Sequence, residues 1–375
     1  MERQAVPKLS DPITLKSLRL KNRIVRSSTW EGLASKDGAV TAGLTELLAA
    51  LVAGGAGLVI TGFAFVHASG RVLPYMLGIE SDERIEGLRE LTGIIHGRGG
   101  NIAIQISHGG FESRPELIGD TSFKVPSVLE GMKRAKLEAE MSRFDIAQMV
   151  ESFAGAAKRA KAADFDAVQI QASHGYLISQ FLSPLSNRRT DDYGGAVQNR
   201  ARFLFEICES VRRVVGDSFP VLVKMNASDC VEGGLDAHDA LWIMKELARM
   251  GVDAIEVSGG VASSADQGPS RKNIRAGQGE AYFASFAKTV REAVSPVPVM
   301  AVGGIRSFET ASNLLASGAA DLVALSRPLI CEPGLPNRWL GGDRAASACI
   351  SCSRCFFPGL HGKGIACQQK RRAQK

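Results

Sequence analysis

Four short stretches of this chain share one plan. AGGAGLVITG (53–62), AADFDAVQIQ (162–171), ARMGVDAIEV (248–257) and ASGAADLVAL (316–325) each run from an Ala- and Gly-rich helix end, through a turn, into an apolar strand. They fall on every second member of a series of eight strands, each followed by a helix. A unit recurring on alternate strands suits closure into an eightfold α/β barrel better than an open sheet. The strands read as Ile24-Val25 running on to Ser27-Ser28-Thr29, then 58–61, 102–106, 167–171, 220–225, 254–257, 297–302 and 322–325. They are almost continuously apolar, as strands buried on both faces must be. Helices read near 44–53, 82–96, 202–215, 235–250, 280–294 and 308–317, with another that runs from an Asp145 cap to Ala163. Ahead of the first strand, ITLKSLRLKNRI reads as a short hairpin, and the polar stretch around Pro115, Gly119 and Pro126 as loop. The expected fold is therefore a (β/α)8 TIM barrel over residues 1–340, with an N-terminal hairpin. A cysteine-rich extension and basic tail follow over 341–375. Two stacked doubly wound domains are the alternative, but no linker composition separates the halves.

Charge narrows the function. The formal net charge is +6, and KRRAQK (370–375) supplies +4 of it, leaving +2 (6 − 4) for the rest. A nearly neutral body does not read as a nucleic-acid surface, and the tail reads as solvated. Leu47 to Val66 carries no charge, yet Gly54-Gly55 and Gly57 break it into a helix end, a turn and a buried strand, not a membrane span. MERQAVPKLSD has no charged n-region before an apolar run, so a cytoplasmic, reducing setting is expected.

Barrels carry their chemistry just past the C-terminal ends of the strands. After the fourth strand come Gln171, His174 and Tyr176, then a polar loop, Ser183 to Gln198. Two hydrogen-bond donors and a phenol could hold a polarised oxygen and deliver a proton beside it. The seventh strand ends in Gly303-Gly304 and the eighth in Ser326-Arg327. Backbone N–H groups at glycines and a guanidinium fork suit a phosphate. Cys349, Cys352, Cys355 and Cys367 follow a C-x2-C-x2-C-x11-C spacing, which fits an iron–sulfur cluster or zinc, with free thiols as the third reading.

Longer segments carry a family likeness: LKNRIV (20–25), GGAGLVIT (54–61), Gln105 through His108, HGYLISQFLSPLSNRRTDDYGG (174–195), NRARF (199–203), AVGGIR (301–306) and LVALSRPLI (322–330). On these, residues 8 to 340 resemble the old yellow enzyme family, the FMN-dependent ene-reductases and NADH:flavin oxidoreductases. The resemblance implies FMN across the barrel mouth and NAD(P)H as reductant. It implies Gln105 at the flavin pyrimidine edge, Lys224 near N1 and O2, and Ser28, Thr29 and Phe63 against the flavin. Gly303, Gly304, Ser326 and Arg327 would hold its phosphate. Gln171 and His174 would grip a substrate carbonyl, and Tyr176 would protonate the α-carbon. The cysteine spacing resembles that of 2,4-dienoyl-CoA reductase and trimethylamine dehydrogenase, which implies a [4Fe-4S] cluster.

The chain also departs from the pattern. Gln171 stands where His is common, Lys224 where Arg is usual, and Trp30 replaces a small residue beside the flavin. Each assignment has a plainer alternative: Gln105 as a satisfied core amide, Lys224 paired with Asp229 or Glu256, Tyr176 as packing. His108 reads as structural support. The expected activity is reduction of the C=C bond of an α,β-unsaturated carbonyl compound. The alternatives are oxidative demethylation, or electron flow through the cluster to or from a partner protein. A small electrophilic alkene, an electron-transfer partner and self-association are the expected interactions, with neither nucleic acid nor membrane.

Overall fold

The computed structural model describes the backbone of residues 6–373 and the side chains of residues 6–370. Eight strands form the core: β1 (Ile24–Arg26), β2 (Leu58–Ile60), β3 (Ile102–Ser107), β4 (Ala167–Ala172), β5 (Val221–Asn226), β6 (Ala254–Ser258), β7 (Val299–Val302) and β8 (Leu322–Leu325). Each pairs in parallel with the next, and β8 pairs back onto β1 through Val323↔Ile24 and Leu325↔Arg26. The sheet is closed, and the architecture is the expected (β/α)8 barrel. Around it lie α1 (Ala42–Ala53), α2 (Ile85–Gly97), α3 (Arg143–Ala162), α4 (Val197–Val215), α5 (Ala237–Arg249), α6 (Ala284–Val294), α7 (Phe308–Ala316) and α8 (Leu335–Leu340). Short helices at Leu177–Leu182 and Arg327–Cys331 stand at the C-terminal mouth.

Strand side chains alternate between two apolar layers. Ile24, Val59, Ile104, Val168, Val223 and Ile255 pack outward against the helices. Val25, Leu58, Ala103, Leu222, Ala254 and Met300 point into the barrel. There they meet Leu15, Leu18 and Leu20 of the antiparallel hairpin Ile13–Leu15/Leu18–Leu20, which plugs the N-terminal end. Each leucine buried in that plug contributes about 1.5–3 kcal/mol. Two positions further along the same inner faces, apolar residues give way to Gln105, Gln169, Lys224 and Glu256. One end of the barrel is sealed and dry, and the chemistry is confined to the other.

Several boundaries differ from the sequence reading. The cap of α3 is Ser142, not Asp145: Ser142 Oγ accepts from the Asp145 N–H at 3.2 Å, while Asp145 Oδ2 accepts from the Ser142 N–H at 2.8 Å. Asp145 is thus the third-residue partner of a capping box. α4 starts at Val197, not Arg202, and α6 at Ala284, not Glu280. Glu280 instead serves α7, whose N-cap is Ser307, accepting from the Ser307 N–H at 2.8 Å. The stretch around Pro126 is not all loop, because Phe123–Val125 pairs with Leu137–Glu140. Leu47–Val66 is divided between α1 and β2 as expected, and no helix among the described residues is long and apolar enough to cross a membrane. Most of the tail expected to be solvated, residues 371–375, lies outside the described side chains.

Candidate active site

The inner-face polar residues form one connected floor beneath the barrel mouth. Gln105 Nε2 donates to Gln169 Oε1 at 2.7 Å, and Gln169 Nε2 donates to Glu256 Oε2 at 2.9 Å. Glu256 Oε1 accepts from Ser27 Oγ at 2.5 Å and pairs with Lys224 Nζ at 2.8 Å. Ser28 Oγ completes the chain by donating to Gln105 Oε1 at 2.9 Å. Buried polar groups are tolerable only when satisfied in this way. Gln105 is therefore a satisfied amide here and does not line the cleft above. Lys224 does line it, but as half of an ion pair with Glu256. Asp229, the other carboxylate considered for Lys224, accepts instead from Asn226 Nδ2 and the Leu235 N–H.

Above the floor lies a cleft of about 330 Å³. At one end are Gly303, Gly304, Ser326, Arg327 and Arg306. Gly303 and Gly304 have φ of +122° and +70°, and a Cβ on either would come within 2.8 Å of the Tyr282 ring. Only glycine allows both the turn and that packing. Thr29 Oγ1 lies 2.8 Å from Ser326 Oγ. Arg306 and Arg327 are buried, and Arg306 Nε has no hydrogen-bond partner. An orphaned cationic donor, a second guanidinium and a glycine turn fit a phosphate monoester. Leu73, Val302, Pro269 and Phe356 give the cleft apolar walls, which fit a flat ring system. These residues suit FMN.

His174, Tyr176 and Phe63 line the same cleft. His174 sits at φ +65°, and its N–H donates to Asn226 Oδ1 at 3.2 Å. Its Nε2 lies 2.8 Å from Ser258 Oγ. Burial, with the Lys224 charge second, lowers its pKa well below the usual 6.5, so the ring is neutral. The Tyr176 ring packs 5.3 Å from Phe63. Burial, with Glu112 second, raises its phenol above the ordinary 10, so it keeps its proton. Gln171 is buried just below the cleft and is not part of its lining. Ser173 Oγ holds Gln171 Oε1 at 2.8 Å, and its Nε2 makes no hydrogen bond among the described residues.

Trp30 is part of the cleft wall, but most of its ring is buried behind that wall. It lies in a cluster with Phe65, Met76 and Ile365, and its Nε1 donates to the Pro74 carbonyl at 3.0 Å. A Cβ at Gly359 would come within 2.9 Å of its ring, so Trp30 is a post on which the C-terminal extension rests. His108 is structural support: its Nδ1 accepts from the Gly110 N–H at 3.0 Å, and burial lowers its pKa to about 3.

The extension folds over the mouth, and its Phe356 and Leu360 line the cleft. Cys349, Cys352, Cys355 and Cys367 are unbridged. Among the described residues no three thiol sulfurs lie within 4.8 Å of one another. Cys331 joins their surroundings from outside the motif: burial and then Cys367 push its thiol up to about 12. Burial and then Cys349 push Cys355 up to about 11.

Sequence reasoning missed Gln169, Ser258, Tyr282 and Arg306, and met Glu256 only as a possible partner for Lys224. A signal existed for three of these five. Gln169 and Glu256 continue the period-two inner face that Gln105 and Lys224 had already made polar. Arg306 closes AVGGIR, where only the glycines drew attention.

A glycine turn with two guanidinium groups, apolar walls, and a neutral histidine near a protonated phenol share one cleft at the mouth of a parallel barrel, a lining that suits a flavin-dependent oxidoreductase. Residues 8–342 match the NADH:flavin oxidoreductase / NADH oxidase family, and the chain belongs to it. It is 39% identical over 327 residues to the NADPH dehydrogenase of Bacillus subtilis (strain 168), covering 87% of this chain and 92% of that protein. The old yellow enzyme homologue from Zymomonas mobilis superposes with a TM-score of 0.77 at 27% identity, covering 92% of this chain and 96% of the other. The structure of 2-naphthoyl-CoA reductase with 2-naphthoyl-CoA gives 0.87 at 25% identity, covering 96% of this chain but 56% of that one. A match over 96% of the chain cannot stop at residue 342, so the last likeness reaches into the cysteine extension. The protein is an FMN-dependent NAD(P)H oxidoreductase of the old yellow enzyme type.

Proposed function

We propose that the protein reduces the C=C bond of a small, electron-poor alkene conjugated to a carbonyl. The observation that carries this reading is a protonated phenol, Tyr176, on the same wall of the cleft as the neutral His174. FMN, when bound, supplies the hydride chemistry, with NAD(P)H as its source. The chain supplies charge and position. Ser258 engages His174 Nε2 and leaves Nδ1 without a partner among the described residues. His174 is the donor that lines the cleft, and a preorganised donor favours a developing enolate oxygen. Ser173 holds the Gln171 oxygen, and the amide, beneath the lining and unable to become cationic, adds only a neutral dipole. Tyr176 then has the proton that the α-carbon needs.

The test separates the two half-reactions. Under anaerobic conditions Tyr176→Phe is expected to leave flavin bleaching by NAD(P)H intact. Reoxidation by an enone such as cyclohexenone should slow by about 10²–10⁴-fold. Equal loss in both half-reactions would remove the proton-donor role. Failure of any activated alkene to reoxidise the wild-type flavin would remove the function itself.

The same reading assigns Cys349, Cys352, Cys355 and Cys367 to an iron–sulfur cluster that exchanges electrons with a partner protein. The C-x2-C-x2-C-x11-C spacing suits thiolate ligation of a multi-iron core. Iron and acid-labile sulfide near four of each per chain support this, and stoichiometric zinc contradicts it. A cytoplasmic location and self-association belong to the same proposal, the latter checked by light scattering.

A further inference from the structure

The cysteine extension and the phosphate end of the cleft share two arginines. Arg327 Nη1 donates to Ser353 Oγ at 2.9 Å and reaches the Ser351 carbonyl at 3.5 Å. Arg306 Nη1 donates to the Cys349 carbonyl, and its Nη2 to Ser351 Oγ. In return the Ser347 N–H donates to the Arg306 carbonyl at 2.8 Å. Ser351, Arg306 and Arg327 are all buried. Every one of these bonds lands on or between Cys349 and Cys355, or just before them. Yet the same two side chains line the cleft, and Arg306 Nε faces burial without a partner.

The loop they hold is strained. Ser351 and Ser353 stand at φ +54° and +57°, on either side of Cys352. Left-handed backbone is uncommon for residues with a Cβ, and it persists where the surroundings over-determine it. Here the surroundings are the two guanidinium forks. A fork is planar and rigid, so fixing some of its N–H groups fixes where the others point. The serines therefore aim the arginines, and the arginines hold the serines.

We propose that Ser351 and Ser353 are positioning residues for the flavin phosphate, and that phosphate occupancy and order in the 349–355 loop form one coupled equilibrium. This rests on the FMN reading of the cleft. Coupling of two sites is reciprocal in free energy. A phosphate that orients Arg306 and Arg327 tightens the loop, and a loop that has released its serines leaves the arginines free to rotate and weakens phosphate binding. Cofactor loading and the cysteine geometry then rise and fall together, whatever the cysteines hold.

The test uses the full chain and two probes that differ only in the phosphate, FMN and riboflavin. Affinity is read by flavin fluorescence, and loop order by amide hydrogen exchange over residues 349–355. FMN is expected to slow exchange in that loop, and riboflavin is not. Ser353→Gly removes the hydroxyl while relieving the left-handed strain, so it is not expected to unfold the chain. It should raise the FMN Kd about tenfold, as loss of one charge-assisted hydrogen bond does, and leave the riboflavin Kd unchanged. Ser353→Asn, which tolerates the same backbone and offers an amide oxygen to Arg327, should recover most of the affinity. An FMN Kd unmoved by Ser353→Gly, or equal protection of the loop by both flavins, overturns the coupling. Wild-type protein that binds riboflavin as tightly as FMN overturns the phosphate site as well, and one that binds neither overturns the FMN reading beneath it.

Discussion

Glu256 sets how much positive charge Lys224 brings to the cleft. The pair is buried, at 2.8 Å, and the carboxylate is steadied by Ser27 and Gln169. A flavin gains negative charge on reduction, so a neighbouring cation favours the reduced form, and a paired cation does so less. Glu256→Gln should therefore raise the flavin reduction potential, measured by equilibration with a reference dye. A lower potential would contradict the pairing argument. His108 makes a separate prediction. Its pKa is about 3 in the fold against 6.5 when exposed, so between those values the unfolded chain binds a proton that the fold refuses. Stability must then fall as pH drops from 6.5 toward 3, and it is fully present above 6.5. The urea midpoint should decline over that range, and His108→Gln should flatten the decline. An unchanged slope would mean that the ring is solvated. The residue-level alternatives fare unevenly: Gln105 is satisfied by its neighbours and Lys224 is paired, while Tyr176 and His174 do reach the cleft.

At the scale of elements, the hairpin and the helix caps carry separable parts of the stability. Leu20 is fully buried in the inner apolar layer and does not itself line the cleft. Leu20→Ala is expected to cost about 2–5 kcal/mol in chemical unfolding while leaving flavin affinity unchanged. A change in flavin affinity would show that the two ends of the barrel are not independent. Ser142→Ala removes the first half of the α3 capping box and should cost about 1 kcal/mol. Element identity was legible because period and punctuation both recur: apolar strands follow Ala- and Gly-rich helix ends four times over. Element ends were not. Asp145 and Glu280 both read as helix starters, and the structure uses each carboxylate as a partner for a neighbouring serine. A capping carboxylate looks the same in sequence whether it serves its own helix or the next.

At the scale of the molecule, the extension is tied to the barrel at several points. It rests on Trp30, bonds Arg306 and Arg327, and places Phe356 and Leu360 on the cleft. Read as a string, it is four cysteines and a basic tail, with nothing to say which wall of the barrel it covers. Trp30 is the sharpest case. By position it stands beside the flavin, and folded it both lines the cleft and supports a segment more than three hundred residues away. The chain by itself determined the closed barrel, the hairpin ahead of it and the mouth where the chemistry sits. Hydrophobic periodicity and turn residues act locally and repeat eight times, so they survive as pattern. Only the tertiary structure decided that Lys224 is paired, that Gln105 is satisfied, and that the phosphate end and the cysteine loop share two guanidinium groups. Those are contacts between residues distant in the chain, and which partner a buried donor finds depends on how the elements come together.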